Sequence, residues 1–221
     1  MTFRFDFLLG GISLLPFFIW VQCQQPEVAK TANIFGYFKA LPAMDTLHVE
    51  VSLNDLNVEK GDTIPNHLFF TTIPPSLLQE INHVADSSMA LVIGRRHFPL
   101  GPEVEAYWVE IRQFWFQHHS LLVYNKAQKV FTDRITLAEW YGGDGGQVLI
   151  GSWLFDVDGD KRKDVIQHEI EHSMIPADPE PIETNTHKIS VLIGKNGRFT
   201  ATSIVDSALL IKKYPIRSFW E

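Results

Sequence analysis

From Met89 onward the apolar residues of this chain recur with a period of two, and that pattern constrains the fold more than any other feature. The stretches 89–93, 106–116, 120–124, 130–138 and 148–155 are rich in Val, Ile, Leu, Tyr, Phe and Trp, and turn residues separate most of them. Alternation of this kind places one set of side chains on a core face and the other on the opposite face of a pleated strand. Sixteen Phe and six Trp in 221 residues add to the case, because aromatic residues favour half-buried sheet surfaces. The segment 124–130, with Asn125 and Lys126 near its centre, reads as a hairpin turn. Strands that follow one another with short turns imply a mostly β (α+β) fold, an antiparallel meander.

The part before Met89 is less regular. Residues 34–40 (IFGYFKA) open the structured chain with an aromatic cluster, 48–53 alternate as a strand does, and 68–73 form another strand candidate. One short helix is expected over 76–85, where Leu77, Leu78, Ile81, Val84 and Ala85 share a face and Pro75 suits the first turn. The expected organisation is a signal peptide at 1–22, a tether at 23–33 and a β-rich domain at 34–221.

The amino terminus carries Arg4 and then fifteen residues, 7–21 (FLLGGISLLPFFIWV), almost wholly apolar. A bilayer-crossing helix needs about 20 apolar residues, and Pro16 would remove one of its hydrogen bonds. Export is therefore expected in preference to a span. The run gives way at Gln22-Cys23 to the polar Gln24-Gln25-Pro26-Glu27. This layout resembles a bacterial lipoprotein signal peptide. The resemblance implies that Cys23 becomes the first mature residue and anchors the protein to the membrane by lipid. Trp20, Val21 and Gln22 depart from the Leu and small residues of that family, and ordinary cleavage and an uncleaved anchor are the alternatives. The expected location is the periplasm, outer membrane or cell surface. Cys23 is the chain's one cysteine, so no intrachain disulfide can supply stability.

A formal net charge of −7 and the lack of any basic stripe exclude nucleic acid as a partner. The sequence singles out no protein or glycan ligand.

One loop carries chemistry. Residues 155–166 read FDVDGDKRKDVI, with Asp156, Asp158, Asp160 and Asp164 at loop positions one, three, five and nine. Calcium takes six to eight oxygen ligands, and alternating Asp in a tight loop turns several carboxylates inward. Arg162, at position seven, would add its backbone carbonyl, and Gly159 permits the bend. The glycine and glutamate of an EF-hand are absent, since Lys161 and Gln167 stand at those positions. The pattern resembles the calcium loops of FG-GAP or VCBS-type β-propeller repeats, Asp-x-Asp-Gly-Asp-Gly-x-x-Asp between strands. Residues 188–199 (KISVLIGKNGRF) resemble the strand-turn-strand unit that follows. The resemblance covers about 148–201 and implies propeller-blade-like hairpins and a bound Ca2+. Lys161 replaces the second glycine, and Lys161, Arg162 and Lys163 offset the loop's charge. The expected affinity is therefore weak, on the order of 10⁻⁴ to 10⁻³ M. The function implied is an exported calcium-binding β domain acting as a binding or structural module.

A rival motif follows at once. HEIEH at 168–172 matches the zinc-protease signature, with His168 and His172 as ligands and Glu169 as base. That chemistry requires a helix, whereas 165–174 also reads as a strand with Ile166, His168, Ile170, His172 and Met174 on one face. The alternative function is a zinc-dependent metallopeptidase, with helix at 165–174 as its structural requirement. Gly142-Gly143-Asp144-Gly145-Gly146 reads as a turn, His118-His119 as exposed turn residues, and the aromatics of 114–116 as core.

Overall fold

The computed structural model describes residues 33–41, 46–51, 61–79, 81, 87–143, 145–204 and 206–217. The expected signal peptide and, apart from Asn33, the tether lie outside these residues. Asn33 already belongs to the fold: its side chain caps a turn of 3-10 helix, Ile34–Tyr37.

The mostly β reading holds. Among the described residues eleven strands form one sheet, and eight of them, β4 to β11, run as consecutive antiparallel hairpins. These are β4 (Leu91–Gly101), β5 (Val104–Gln113), β6 (Phe116–Asn125), β7 (Val130–Gly143), β8 (Gly146–Phe155), β9 (Asp164–Ile175), β10 (Ile182–Lys195) and β11 (Arg198–Thr202). Three short strands come from the first part of the chain. β1 (Lys39–Ala40) lies parallel to β4, β3 (Asp62–Ile64) pairs antiparallel with β4, and β2 (Leu47–Val49) pairs with β8. The sheet is not closed into a barrel.

Packing explains the order. Along β5 the odd residues Tyr107, Val109 and Ile111 face one cluster, which Ile34, Phe38, Ile64, Phe69 and Ile73 cover. The even residues Ala106 and Trp108 face a second cluster. There Leu121, Ile135 and Leu137 meet Leu47, Leu154 and Val165, so β4–β7 and β8–β9 share a core. Strand β7 makes this possible by changing partners. Its first part pairs with β6, its end pairs with β8, and β2 takes the edge of β8 from Ser152 to Leu154. A third cluster, Ile166, Ile189 and Val191, lies under the helix α3 (Ser207–Lys213), through Leu210 and Ile211.

Three expectations need correction. Residues 68–73 are not a strand. They fall in and just after the helix α1 (Asn66–Thr72), where Phe69 and Ile73, four residues apart, are both buried. The side chain of Asn66 donates to the carbonyls of Ser87 and Ala90 at 2.7 Å, which ties the helix start to the approach of β4. The expected helix from Ser76 is a single turn, α2 (Pro75–Leu78), and residues 80 and 82–85 of that expectation lie outside the described residues. The stretch 106–116 is not one strand but two, broken at Phe114, whose φ is 53°. The hairpin turn expected at 124–130 lies between β6 and β7, whereas β2 ends at Val49, β4 runs on to Gly101, β6 begins at Phe116, and β7 and β8 take in Gly142, Gly143 and Gly146 of the glycine run read as a turn. Among the described residues no helix is long and apolar enough to cross a membrane.

Candidate functional site

In an up-and-down meander, alternate turns share an end of the sheet. The β8–β9 loop, which holds the aspartates, lies with the β4–β5 and β10–β11 turns. The β5–β6, β7–β8 and β9–β10 turns lie together at the other end.

The aspartate loop is built by its own carboxylates. Asp156 accepts from the N–H of Gly159 at 2.7 Å and of Lys161 at 2.9 Å, Asp158 from Asp160 at 3.1 Å, and Asp160 from Arg162 at 2.8 Å. Each is a local turn in which the side chain replaces a backbone partner. The bends require left-handed backbone at Gly159 (φ 84°) and Lys161 (φ 68°). Asp164 is fully buried and accepts from Val157 N–H at 2.9 Å and from Gly194 N–H at 2.8 Å. It therefore fastens the loop to β10.

Ligand atoms of Asp156, Asp158 and Asp164 lie within 4.8 Å of one another. Three carboxylates at that spacing suit a hard cation such as Ca2+, with backbone oxygens and water filling the remaining positions. Asp160, expected in the same set, stands apart from the cluster, with its second oxygen 3.7 Å from the guanidinium of Arg162. Arg162 is exposed and lines a cavity of about 280 Å³ between this loop and the β4–β5 and β10–β11 turns.

Gly194 makes the junction possible. A Cβ there would sit 2.6 Å from the carbonyl oxygen of Lys163. Gly194→Ala is expected to push β10 off the loop, break its bond to Asp164 and cost roughly 1–3 kcal/mol. Urea unfolding against the parent chain measures it.

The HEIEH motif lies in β9, not in a helix, which removes the geometry that a metallopeptidase requires. Along a strand, His168 and His172 are about 13 Å apart and cannot hold one ion. His168 is buried, with Nδ1 2.7 Å from the carbonyl oxygen of Tyr214, and its burial holds the imidazole pKa below the ordinary value. Nδ1 of His172 pairs with Oδ1 of Asn185 at 2.8 Å. Glu169 forms an ion pair with Lys188 at 3.5 Å.

Sequence reasoning missed the polar groups inside the sheet. His118 and His119 are not turn residues but buried members of β6, on opposite faces. On one face, His118 contacts Glu139 through Nδ1 and Ser120 through Nε2, each at 2.5 Å, and Arg134 donates to Ser120 at 3.0 Å. The order of groups is that of an acid–base relay. Ser120, however, has no exposed surface, so no substrate reaches it, and the network acts as structure. On the other face, Glu110 accepts from Arg95, Arg112 and Gln117, and Trp108 donates to His119 at 3.0 Å.

At the opposite end of the sheet the aromatics are not core, with the exception of Phe116. Phe114 is 74% and Trp115 63% exposed at the β5–β6 tip, and Tyr141, Met174, Ile175 and Ile182 stand exposed on the neighbouring hairpins. Gln113 pairs with Phe116, so Phe114 and Trp115 form a two-residue turn of the kind that normally starts with glycine. Holding a Phe at positive φ costs on the order of 1–3 kcal/mol, and strain of that kind clusters at binding sites. Behind the tip lies a cavity of about 480 Å³ between Trp115 and Trp140, with Gln147, His172 and Met174 in its wall. Such a mixture of flat aromatic surface and a few polar groups is the ordinary composition of a ligand site.

Comparison with known proteins adds no relative. No family model matches this chain, and neither a curated protein nor a solved structure matches it.

Proposed function

We propose that this chain is an exported protein of the bacterial cell envelope whose β domain is a calcium-stabilised binding module, with Cys23 placed to carry a lipid anchor. One observation carries the calcium reading: the ligand atoms of Asp156, Asp158 and Asp164 converge within 4.8 Å, and Asp164 is tied by hydrogen bonds to both ends of the structure the ion would brace. An ion held there neutralises carboxylates brought close together and stiffens the contact between the β8–β9 loop and β10. Export and anchoring rest on the apolar run 7–21 and on the polar break after Cys23. The binding part rests on the exposed aromatic end, since a protein has little reason to keep Phe114 and Trp115 in water unless something covers them.

Thermal unfolding of the full chain in chelator and in 10 mM calcium tests the reading. At a Kd on the order of 10⁻⁴ to 10⁻³ M, calcium at that level stabilises by about 1.4–2.7 kcal/mol. The midpoint is expected to rise in the parent chain and to stay level in Asp158→Ala. A midpoint indifferent to calcium in the parent chain rejects the calcium site.

A further inference from the structure

The cavity of about 280 Å³ beside the aspartate loop has an apolar floor and a cationic rim. Its floor is Leu100 of β4, Val104 of β5 and Phe199 of β11, all half-buried, and Leu100 and Phe199 also pack against the second core cluster. Close contacts fix the walls. A Cβ on Gly197, at the β10–β11 turn, would lie 3.2 Å from Cγ2 of Val104, and Gly194 lets the aspartate loop meet β10. The N–H of Phe199 donates to Asp133 of β7 at 3.0 Å, which holds the start of β11 in place. The cavity is therefore part of the packed fold and not a gap between loose turns.

Its charge is unlike that of the chain. Arg162, Lys163, Lys195 and Arg198 are all among the thirteen lining residues, whereas Glu103 is the one acid there. With nineteen Lys and Arg in 221 residues and a net charge of −7, a sample of thirteen would hold about one cation. Arg162 shares its charge with Asp160 at 3.7 Å, but among the described residues no ion pair engages Lys195 or Arg198. The carboxylates of the adjoining loop are engaged: Asp156 and Asp158 accept from N–H groups of their own loop, and Asp164 is buried. One sign of charge around a cavity with apolar walls concentrates the potential there and draws in a counter-ion. Arginine adds a planar fork that matches the two oxygens of a carboxylate.

Volume sets the size of the ligand. A methylene takes up about as much room as a water molecule, roughly 30 Å³, so the cavity holds about nine such groups. That suits a carboxylate with a body of roughly seven or eight carbons, and a lipid with two long chains is too large. The alkyl stems of the rim cations extend the apolar wall while their charged ends stay in water.

We propose that this cavity binds a small amphipathic carboxylate, with its apolar body on Leu100, Val104 and Phe199 and its carboxylate between Lys195 and Arg198. The site lies at the end of the sheet opposite Phe114 and Trp115, and it uses none of the three converging aspartates.

Calorimetric titration of the full chain with sodium octanoate in calcium-free buffer tests the proposal, with acetate and octanol as probes that keep only the charge or only the apolar body. The expected result is one octanoate per chain, bound tighter than either control by about tenfold or more, with an affinity that falls as salt is added. Lys195→Gln/Arg198→Gln alters exposed side chains and leaves the fold intact. It is expected to weaken octanoate by about tenfold or more without a change in thermal midpoint. Trp115→Ala is expected to bind as the parent chain does. No octanoate uptake by the parent chain overturns the site, as does undiminished binding in the double variant or octanol binding as tight as octanoate. An equal loss in Trp115→Ala moves the ligand to the aromatic end and overturns the site as well. The calcium experiment can fail without changing any of these outcomes.

Discussion

Glu110→Ala is expected to destabilise the fold by about 3–5 kcal/mol. Glu110 has no exposed surface, and its two oxygens accept from Arg95, Arg112 and Gln117. Burial opposes ionisation of this carboxyl, but the neighbouring His119 ring and the guanidinium groups of Arg112 and Arg95 together outweigh it and hold the pKa below the ordinary carboxylate range. Removing the carboxylate takes the charge of Glu110 away from Arg95, a cation that is itself 7% exposed inside the sheet. Most of the expected loss is the cost of that buried cation, not the value of the ion pair. The double variant Arg95→Met/Glu110→Leu separates the two, because apolar groups of similar volume can fill the space without leaving the buried Arg95 charge behind. Chemical denaturation should show the double variant recovering most of the loss. A double variant as unstable as Glu110→Ala would place the cost in packing and refute the charge argument.

The legible parts of this fold are those where local chemistry and tertiary demand coincide. Asn196-Gly197 marks the β10–β11 turn in the sequence, and both residues take the positive φ that such a turn requires. The aspartate loop is legible for the same reason, since its side chains satisfy its own backbone within a few residues. Asp160 marks the limit: spacing places it among the ligands, but the fold turns it toward Arg162. The Phe114-Trp115 turn was hidden because neither residue has turn chemistry, and the β period runs through it unbroken. Residues 68–73 have strand-favouring composition, and their helix comes from burying Phe69 and Ile73 on one side after Pro65. Burial of Glu110, Arg95, His118 and His119 could not be read from period alone. On a two-faced sheet both faces can be interior, and polar residues then pair across strands rather than face water. His168 and His187 illustrate the same point: nineteen residues separate them in the chain, and only the β9–β10 register brings them together.

Register also fixes the protonation of His119, and from it follows a steep loss of stability in acid. Trp108 N–H donates to Nδ1 of His119, so that nitrogen keeps its lone pair, and a charged imidazolium, which can only donate, would have to break the bond. Burial, which excludes water from the charged form, and the nearby guanidinium of Arg95 push the His119 pKa down to about 3, although the Glu110 carboxylate pulls the other way. An unfolded histidine takes up a proton near pH 6.5. Above that value neither state binds the proton, and His119 contributes no pH dependence. Below it only the unfolded chain is protonated, so stability falls with pH at about 1.4 kcal/mol per unit until the folded pKa is reached. His168, also held neutral by burial, adds to the fall in the same direction. Between pH 7 and pH 5 the loss from His119 alone is expected to be about 2 kcal/mol. His119→Gln keeps an acceptor for Trp108 but cannot titrate. Urea unfolding at pH 7, 6 and 5 should show a shallower slope in this variant by about one proton per molecule. Equal slopes in variant and parent chain would mean that the folded protein protonates His119 as readily as the unfolded chain does, and that the Trp108 bond does not hold the ring neutral.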